Sequence, residues 1–489
     1  MRQVPACLLL VATVTLWAEP PATGPDTPAV VQLLSDVLKI DTSNPPGNEG
    51  KIAEFLAPRF KAAGFEVDIV QTPQPGKAHF IARLRGDGSK KPVLIAAHAD
   101  VVGVEREKWT VEPFAGVVKD GYIYGRGAID FKGGLAVFAQ AALDIAARKK
   151  AGFMPKRDLI LLAEADEEGG LFNTGWLAEK AWDKIDCEFS LNEGGWIIQD
   201  DKGKVQYVSI STADKSGVSL VIRAKGTSTH SSMPLPDNAI YRLARALTRL
   251  STYDTRVRLN DSTKQFFLTL SEVNPEPMKT HFRNLVTGTP EQVKEADKAI
   301  SSGDALLHAI MRNTIAPVLM NAGFRGNVIP GSAEATINFR TVPGTTPGEL
   351  IDELSTVIND PMVEVEQARM SSMTGNAKLT DEQKAQMEKR MAALRKPVPE
   401  STKETDLYRA LEKQSKVVYP GALVTPYLFQ AGTDSYAWRS RNIPVYGIYP
   451  YPITLEDLRR MHGNDERVPV DSLVTGLKLI TNTLIEVIQ

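Results

Sequence analysis

The chain has 489 residues, a formal net charge of −2, 43% hydrophobic and 24% charged residues. That length exceeds what one hydrophobic core ordinarily serves, so two domains are expected. The mixed composition excludes wholesale disorder, and the balanced charge gives no reason to expect a nucleic-acid or anionic-membrane partner.

The chain opens with "MRQVPACLLLVATVTLWAEPPATG", in which Arg2 precedes an apolar stretch from Ala6 to Ala18. This stretch is too short to span a bilayer and fits the core of a signal peptide. Residues 1–24 are therefore expected to be a leader, cut after Ala18 or after Gly24. The mature protein would be exported, periplasmic or extracellular, with no stable membrane insertion. Cys7 would leave with the leader; only Cys187 would remain, so no intramolecular disulfide could form.

From Asp26 helices and strands interleave. "TPAVVQLLSDVLKI" and "NEGKIAEFLAPRFKAAG" have helical apolar spacing, and "FEVDIV", "HFIARLRG" and "KPVLIAAHAD" read as strands. "KGGLAVFAQAALDIAARKK" is a long helix, followed by the strands "RDLILLAEAD" and "CEFSLNEGG". This alternation predicts an α/β domain with a mostly parallel sheet flanked by helices. Near residue 213 the texture changes. "SGVSLVIRAKG" alternates like a half-exposed strand, and "DNAIYRLARALTRL" is helical. After a polar, irregular stretch, "GSAEATINFRTVPG", "TPGELIDELSTVI" and "MVEVEQARM" read as strand, helix and strand. They predict an inserted α+β domain with one open sheet face. "GNAKLTDEQKAQMEKRMAALRKPVPE" returns the chain to the first domain, "NIPVYGIYP" adds a buried strand, and "VDSLVTGLKLITNTLIEVI" closes with a helix. The expected divisions are the leader 1–24, a first domain formed by 25–212 and 397–489, and the insertion 213–396.

In open α/β sheets, functional residues gather beyond the carboxyl ends of the strands. "VLIAAHAD" delivers His98 and Asp100 there, "RDLILLAEADEE" delivers Glu167 and Glu168, and "CEFSLNE" delivers Glu193. "GRGAIDFKGG" sets Asp130 before a helix, and "RRMHGNDER" sets His462 before the last one. Four carboxylates between Glu164 and Glu168 repel one another and need compensation from water, arginines or metal. Any one of these residues alone has an ordinary structural explanation; the set has a chemistry. Mixed imidazole and carboxylate donors suit zinc, with manganese or cobalt as substitutes. Asp100, two residues beyond His98 on an extended chain, lies on the side where a carboxylate would orient the imidazole.

These stretches, taken in order from "HADVVGVEREKWTVEPF" through "GRGAIDFKGG", "EADEEGG", "NEGG" and "MHGNDER", resemble the co-catalytic zinc peptidase family. That family includes carboxypeptidase G, aminoacylase, acetylornithine deacetylase and succinyl-diaminopimelate desuccinylase. "KWTVEPF", "NEGG" and "NAGFRGNVIPGSAEATINFRTVPG" are similar to the branch of vacuolar carboxypeptidase S and secreted N-acyl-amino-acid hydrolases. The resemblance implies a zinc-peptidase catalytic domain with an inserted lid or dimerisation-type domain. It also implies two zinc ions. His98 and Glu193 would bind one, Glu168 and His462 the other, and Asp130 would bridge them. Glu167 would be the general base, with a cis peptide after Asp130 and no family role for Glu164 or Asp166. In "GTSTHSSMP", His230 would stabilise the oxyanion. Asn327, Arg340 and the "AGTDS" loop, with Gly432, Thr433 and Asp434, would contact substrate. Arg340 could pair with a substrate carboxylate or form a plain surface salt bridge. Family members that dimerise use the insertion, but the stretch 252–315 could cover its open face instead, so monomer and homodimer both stand.

The implied activity is hydrolysis of a C–N amide bond beside a free carboxylate, in a peptide or an N-acyl amino acid. Two other readings compete. One is an exported, non-catalytic metal- or peptide-binding protein. The other is a metal-free hydrolase with paired carboxylates, which the two histidines disfavour.

Overall fold

The computed structural model describes residues 27–368, 380–394 and 398–489. The expected leader, residues 1–24, lies outside them, as does part of the expected return segment. The first domain is built on a ten-stranded sheet. Its strands run in the order Glu66–Gln71, Ala78–Leu84, Leu159–Glu164, Val93–His98, Phe189–Asn192, Val445–Gly447, Val205–Asp214, Ile197–Gln199 and Pro452–Ile453, with Leu423–Phe429 pairing alongside Val205–Asp214.

Val93–His98 lies at the centre, parallel to both Leu159–Glu164 and Phe189–Asn192. Every residue of Val93–His98 is buried, because helices cover both faces of the sheet. Val93, Ile95 and Ala97 join the core containing the helices Ala29–Leu38, Glu49–Ala63, Lys132–Lys150 and Val470–Ile488. Leu94 and Ala96 point the other way, into a second core with Phe172, Trp176, Leu177 and Trp438. The parallel pairing brings the carboxyl ends of the three central strands to one edge, with His98 level with Glu164.

The smaller domain is a four-stranded antiparallel sheet in the order Thr314–Ala322, Ser332–Thr341, Ser216–Lys225, Val363–Gln367. The helices Ala239–Ser251 and Pro347–Ile358 pack on one face, through Leu243, Leu250, Leu350 and Leu354 against Leu220, Ile222, Ile337 and Phe339. The opposite face carries Arg223, paired with Glu334 and Glu366.

The stretch between the helix Ala239–Ser251 and the strand Thr314–Ala322, expected to be irregular, is helical: Asp261–Val273, Met278–Thr287, Pro290–Gly303 and Ala305–Ile310. Asn260 caps the first through Thr263 N, and Thr289 with Gln292 forms a capping box on the third. Phe266, Phe267, Leu270, Phe282 and Ile300 join the core of the first domain, and the helix Asp261–Val273 packs on Leu423–Phe429. The segment therefore does not cover the smaller sheet, as the sequence had allowed. Its aromatic and aliphatic face finds the larger core, and the edge strand Thr314–Ala322 stays exposed from Ala316 onward.

Candidate metal centre and cleft

Six of the expected residues converge at the carboxyl edge of the large sheet. His98, Glu167 and Glu193 bring ligand atoms within 4.8 Å of one another, and so do Asp130, Glu168 and His462. Asp130 joins the groups. Its Oδ1 lies 2.9 Å from His98 Nε2 and its Oδ2 lies 3.1 Å from His462 Nε2. Glu193 Oε2 is 3.6 Å from His98 Nε2, and Glu168 Oε1 is 3.0 Å from His462 Nε2. The peptide bond after Asp130 is cis.

The donor set fits two cations. Glu168 Oε1 is buried and has no hydrogen-bond partner, although it faces His462 at contact distance. Such an atom is aligned as a co-ligand rather than as an acceptor. Without cations the carboxyl groups are uncomfortable: burial and then the Glu193 charge push Glu167 well above the usual carboxylate range, and burial pushes Glu193 up to about 7. Asp130 and Glu168 push His462 up to about 10. The site takes up positive charge wherever it can.

His98 Nδ1–H donates to the backbone carbonyl of Asp100 at 3.0 Å, which turns Nε2 toward Asp130. The Asp100 carboxylate stands 3.7 Å from Nδ1, and its closer contacts lie elsewhere. It accepts the N–H groups of Glu167 and Glu168 at 3.1 and 3.0 Å. Asp100 thus orients the imidazole through its main chain and the Glu167–Glu168 pair through its side chain.

The loop after Leu159–Glu164 is pinned from beneath. Asp166 has φ of 65°, which an Asp tolerates. Its carboxylate pairs with buried Lys77 and accepts Asn44 Nδ2 and the N–H groups of Leu171 and Phe172. His79 accepts Ala165 N–H at Nδ1 and donates from Nε2 to Phe172 O, clamping both ends of the loop. Glu164 is buried at the strand end, where burial and then Asp434 push its carboxyl well above the usual range. Of the four clustered carboxylates, Asp166 is compensated by Lys77, and Glu167 and Glu168 face the centre.

The centre forms the floor of a cleft of about 860 Å³ between the domains. The smaller domain contributes Gly217, Ser219, Asn338 and Arg340, and the helix Asp381–Leu394 contributes Gln386, Met387 and Lys389. Arg340 is exposed and makes no ion pair among the described residues. A Cβ added at Gly432 would meet Lys215 O at 3.3 Å and Arg340 Nη1 at 4.0 Å, so the guanidinium and the "AGTDS" loop are neighbours. Thr433 Oγ1 bonds to Asp214, and Asp434 accepts Asn173 Nδ2 and Thr174 N–H. The structure engages these two side chains in holding the loop. His230 and Asn327 are not among the residues lining the cleft. They sit together on the outside of the smaller domain, where Ser231 N–H donates to Asn327 O and His230 Nδ1 bonds to Ser232 Oγ.

Residues 94–486 match the model of Peptidase family M20/M25/M40. The chain belongs to this family. It is 29% identical over 391 residues to a probable carboxypeptidase S-like protein of Dictyostelium discoideum, covering 78% of this chain and 69% of that one. It is 28% identical over 410 residues to an N-fatty-acyl-amino acid synthase/hydrolase of Homo sapiens, covering 82% and 75%. Its fold is similar to that of an M20 family metallo-carboxypeptidase from Sulfolobus solfataricus, with TM-score 0.65 and 18% identity over 94% of this chain and 99% of that one. A dinuclear metal-binding peptidase of the M20 family from Bacillus subtilis aligns with TM-score 0.55 and 12% identity, over 94% and 97%.

Several supports of the centre were not singled out from the sequence. Glu466, inside "MHGNDER", accepts the N–H groups of Ile129 and Asp130, and its other oxygen pairs with Arg126 at 2.6 Å. Arg126 also donates to the carbonyls of His462 and Gly463. One buried pair thus ties the Asp130 turn to the His462 turn. Glu193 is seated by close backbone packing: a Cβ at Gly195 would lie 1.9 Å from Ser209 O, and one at Gly447 2.1 Å from Glu193 O. Only the neighbouring motif residues hinted at these partners.

Proposed function

We propose that this M20 family hydrolase cleaves the amide bond of an N-acyl amino acid or peptide whose α-carboxylate is free, using two zinc ions. The family and its similar relatives support amide hydrolysis. The observation that carries the metal reading is Asp130, with one carboxylate oxygen facing each histidine. His98 and Glu193 would hold one ion, Glu168 and His462 the other. Bound ions of this kind polarise the amide carbonyl and make the attacking water acidic. Manganese or cobalt could substitute.

The chain's own residues do the rest. Glu167 stands beside the centre without being needed as a ligand, so its carboxylate takes the proton of the attacking water and returns it to the leaving nitrogen. The N–H bonds from Glu167 and Glu168 to Asp100 hold that carboxylate in place. Arg340, beside the Gly432 backbone, pairs with the substrate carboxylate. Lys215, Arg439, Lys389 and Arg441 also border the cleft; the first three are bonded to Arg312 O, Asp214 and Glu179 respectively, and Arg441 lies over the Trp182 ring and donates to Ala437 O, so Arg340, beside the Gly432 loop, is our choice to read the charge. Export rests on Arg2 and the apolar stretch to Ala18; no helix among the described residues is long and apolar enough to cross a membrane.

The test compares an N-acyl dipeptide with its C-terminal amide, in the zinc-loaded wild type and in Arg340→Ala. The wild type should favour the acid by roughly ten- to a hundredfold in kcat/KM, since a charged hydrogen bond contributes about 1.5–3 kcal/mol. Equal cleavage of acid and amide would refute carboxylate reading. A preference that survives in Arg340→Ala would move it to the Gly432 loop.

A further inference from the structure

Tyr449 has no part in the roles given so far. It lies just beyond the strand Val445–Gly447 in "VYGIYPYP", is fully buried, and borders the floor of the cleft. Its hydroxyl is 3.1 Å from Asp130 Oδ1 and 3.0 Å from Glu193 Oε2. Those are the same two oxygens that face His98 Nε2. The phenol therefore sits on the donor atoms that one ion would share.

Its position is held independently of those bonds. The ring stacks on Trp196, with centroids 4.2 Å apart and planes at 10°, and meets the edge of Phe131, the residue after Asp130, at 5.0 Å. Tyr449 N–H donates to Gly195 O at 2.6 Å, two residues beyond Glu193. A phenol is neutral near pH 7 and offers one proton. Set between two carboxylates, it donates that proton to one of the two facing oxygens or shares it between them, which relieves their repulsion and favours the arrangement in which Asp130 Oδ1 and Glu193 Oε2 face inward. Ligands held in this way lose less freedom when a cation arrives, and partners of this kind typically contribute ten- to a hundredfold in metal affinity.

We infer that Tyr449 is a positioning residue of the metal centre, its hydroxyl presetting Asp130 and Glu193 for the ion they share with His98. The inference rests on the metal-dependent reading above.

Tyr449→Phe keeps the stacked ring and removes only the hydroxyl. The full-length protein, stripped by a chelator, would be titrated with Zn²⁺ against a competing chromophoric chelator. The expected result is a zinc Kd raised about ten- to a hundredfold for one of the two ions, with kcat recovering at saturating zinc and KM for the N-acyl dipeptide unchanged. An unchanged Kd overturns the inference, whether or not the Tm of the metal-free variant falls. Should the variant not fold, Cu²⁺-loaded wild type decides. A hydrogen-bonding phenol gives no intense visible phenolate-to-copper absorption, whereas such a band would make Tyr449 a ligand and overturn the positioning role. Failure of the underlying reading looks different. A wild type that binds no divalent ion overturns both, and one that binds zinc but cleaves no amide overturns only the hydrolase, leaving the Kd comparison to decide on Tyr449.

Discussion

Glu167 and Glu168 are chain neighbours with different surroundings. Glu168 faces His462 across the position of one ion, whereas Glu167 sits beside the His98 and Glu193 pair. Their substitutions should therefore fail in different ways. Glu168→Ala should lose metal together with activity. Glu167→Gln keeps the shape and removes the base, so metal content should stay at the wild-type level while kcat falls by roughly 10²–10⁴-fold. Metal analysis of the two purified variants, set beside their turnover, checks this; zinc lost from Glu167→Gln and kept in Glu168→Ala would reverse the roles. The same residue scale explains Asp166. It looked like part of an acidic cluster, yet it is the anchor of the loop, matched to a lysine that sequence distance hides.

At the scale of the element, the loop 165–172 is held by the start of the strand Ala78–Leu84. Lys77 and Asp166 are both buried, and removing one leaves the other charge unpaired, at a cost of about 3–5 kcal/mol. Lys77→Met should be destabilised on that order, and adding Asp166→Asn should recover much of the loss; denaturant unfolding of the two single variants and the double variant measures the coupling. His79 gives the loop a pH dependence. Burial lowers its pKa to about 4, while in the unfolded chain it titrates near 6.5. The unfolded state thus takes up a proton first as the pH falls. Stability from this group is complete above about 6.5 and is lost as the pH drops toward 4. Between pH 6.5 and 5 the metal-free wild type should lose roughly 1.5 kcal/mol more than His79→Gln. Equal losses in unfolding measured at both pH values would remove His79 from the account.

At the scale of the molecule, the unusual feature is what the four added helices leave uncovered. They pack on the larger core, and the edge strand of the smaller sheet remains open, with Val318, Leu319 and Met320 on it and Phe324 just beyond it all more than half exposed. Open apolar edges are sites of strand addition, although Pro317 and the bulge beside Val318 restrict pairing to the far half of this strand. His230 lies in this domain, outside the cleft of its own chain. We expect a homodimer in which His230 serves the partner's centre. His230→Ala should lower kcat on the order of 10²-fold with metal content unchanged, and sedimentation should show Met320→Glu to be monomeric with a similar loss. Mixing His230→Ala with Glu167→Gln subunits should restore part of the activity, because one site of each hybrid is intact. Unrestored activity would place His230 within its own subunit, and an unchanged kcat in His230→Ala would leave it a surface residue.

The candidate metal donors on the strands could be read from the sequence because a parallel sheet gathers its strand ends: "VLIAAHAD", "LLAEADEE" and "SLNE" are buried runs that stop at ligand-type residues, and chain order is enough to place them together. The interleaved helices and strands likewise announced the two architectures through periodicity alone. The helices between 261 and 310 were hidden because their polar composition masked apolar positions that matter only once Asp261–Val273 packs on Leu423–Phe429 and the following helices pack on it and on one another. Tyr449, Glu466, Lys77 and His79 were hidden for a related reason. A tyrosine, a buried lysine or a glutamate has no chemistry of its own in a linear reading, and acquires one only when folding sets it 3 Å from Asp130, or beneath the loop of Glu167. Residue type and strand register determined which groups could hold metal. The meeting of segments 30 to 340 positions apart in the chain decided their orientation, the place of Arg340 beside the Gly432 loop and the place of His230 outside its own cleft, since each of these depends on contacts that local pattern does not encode.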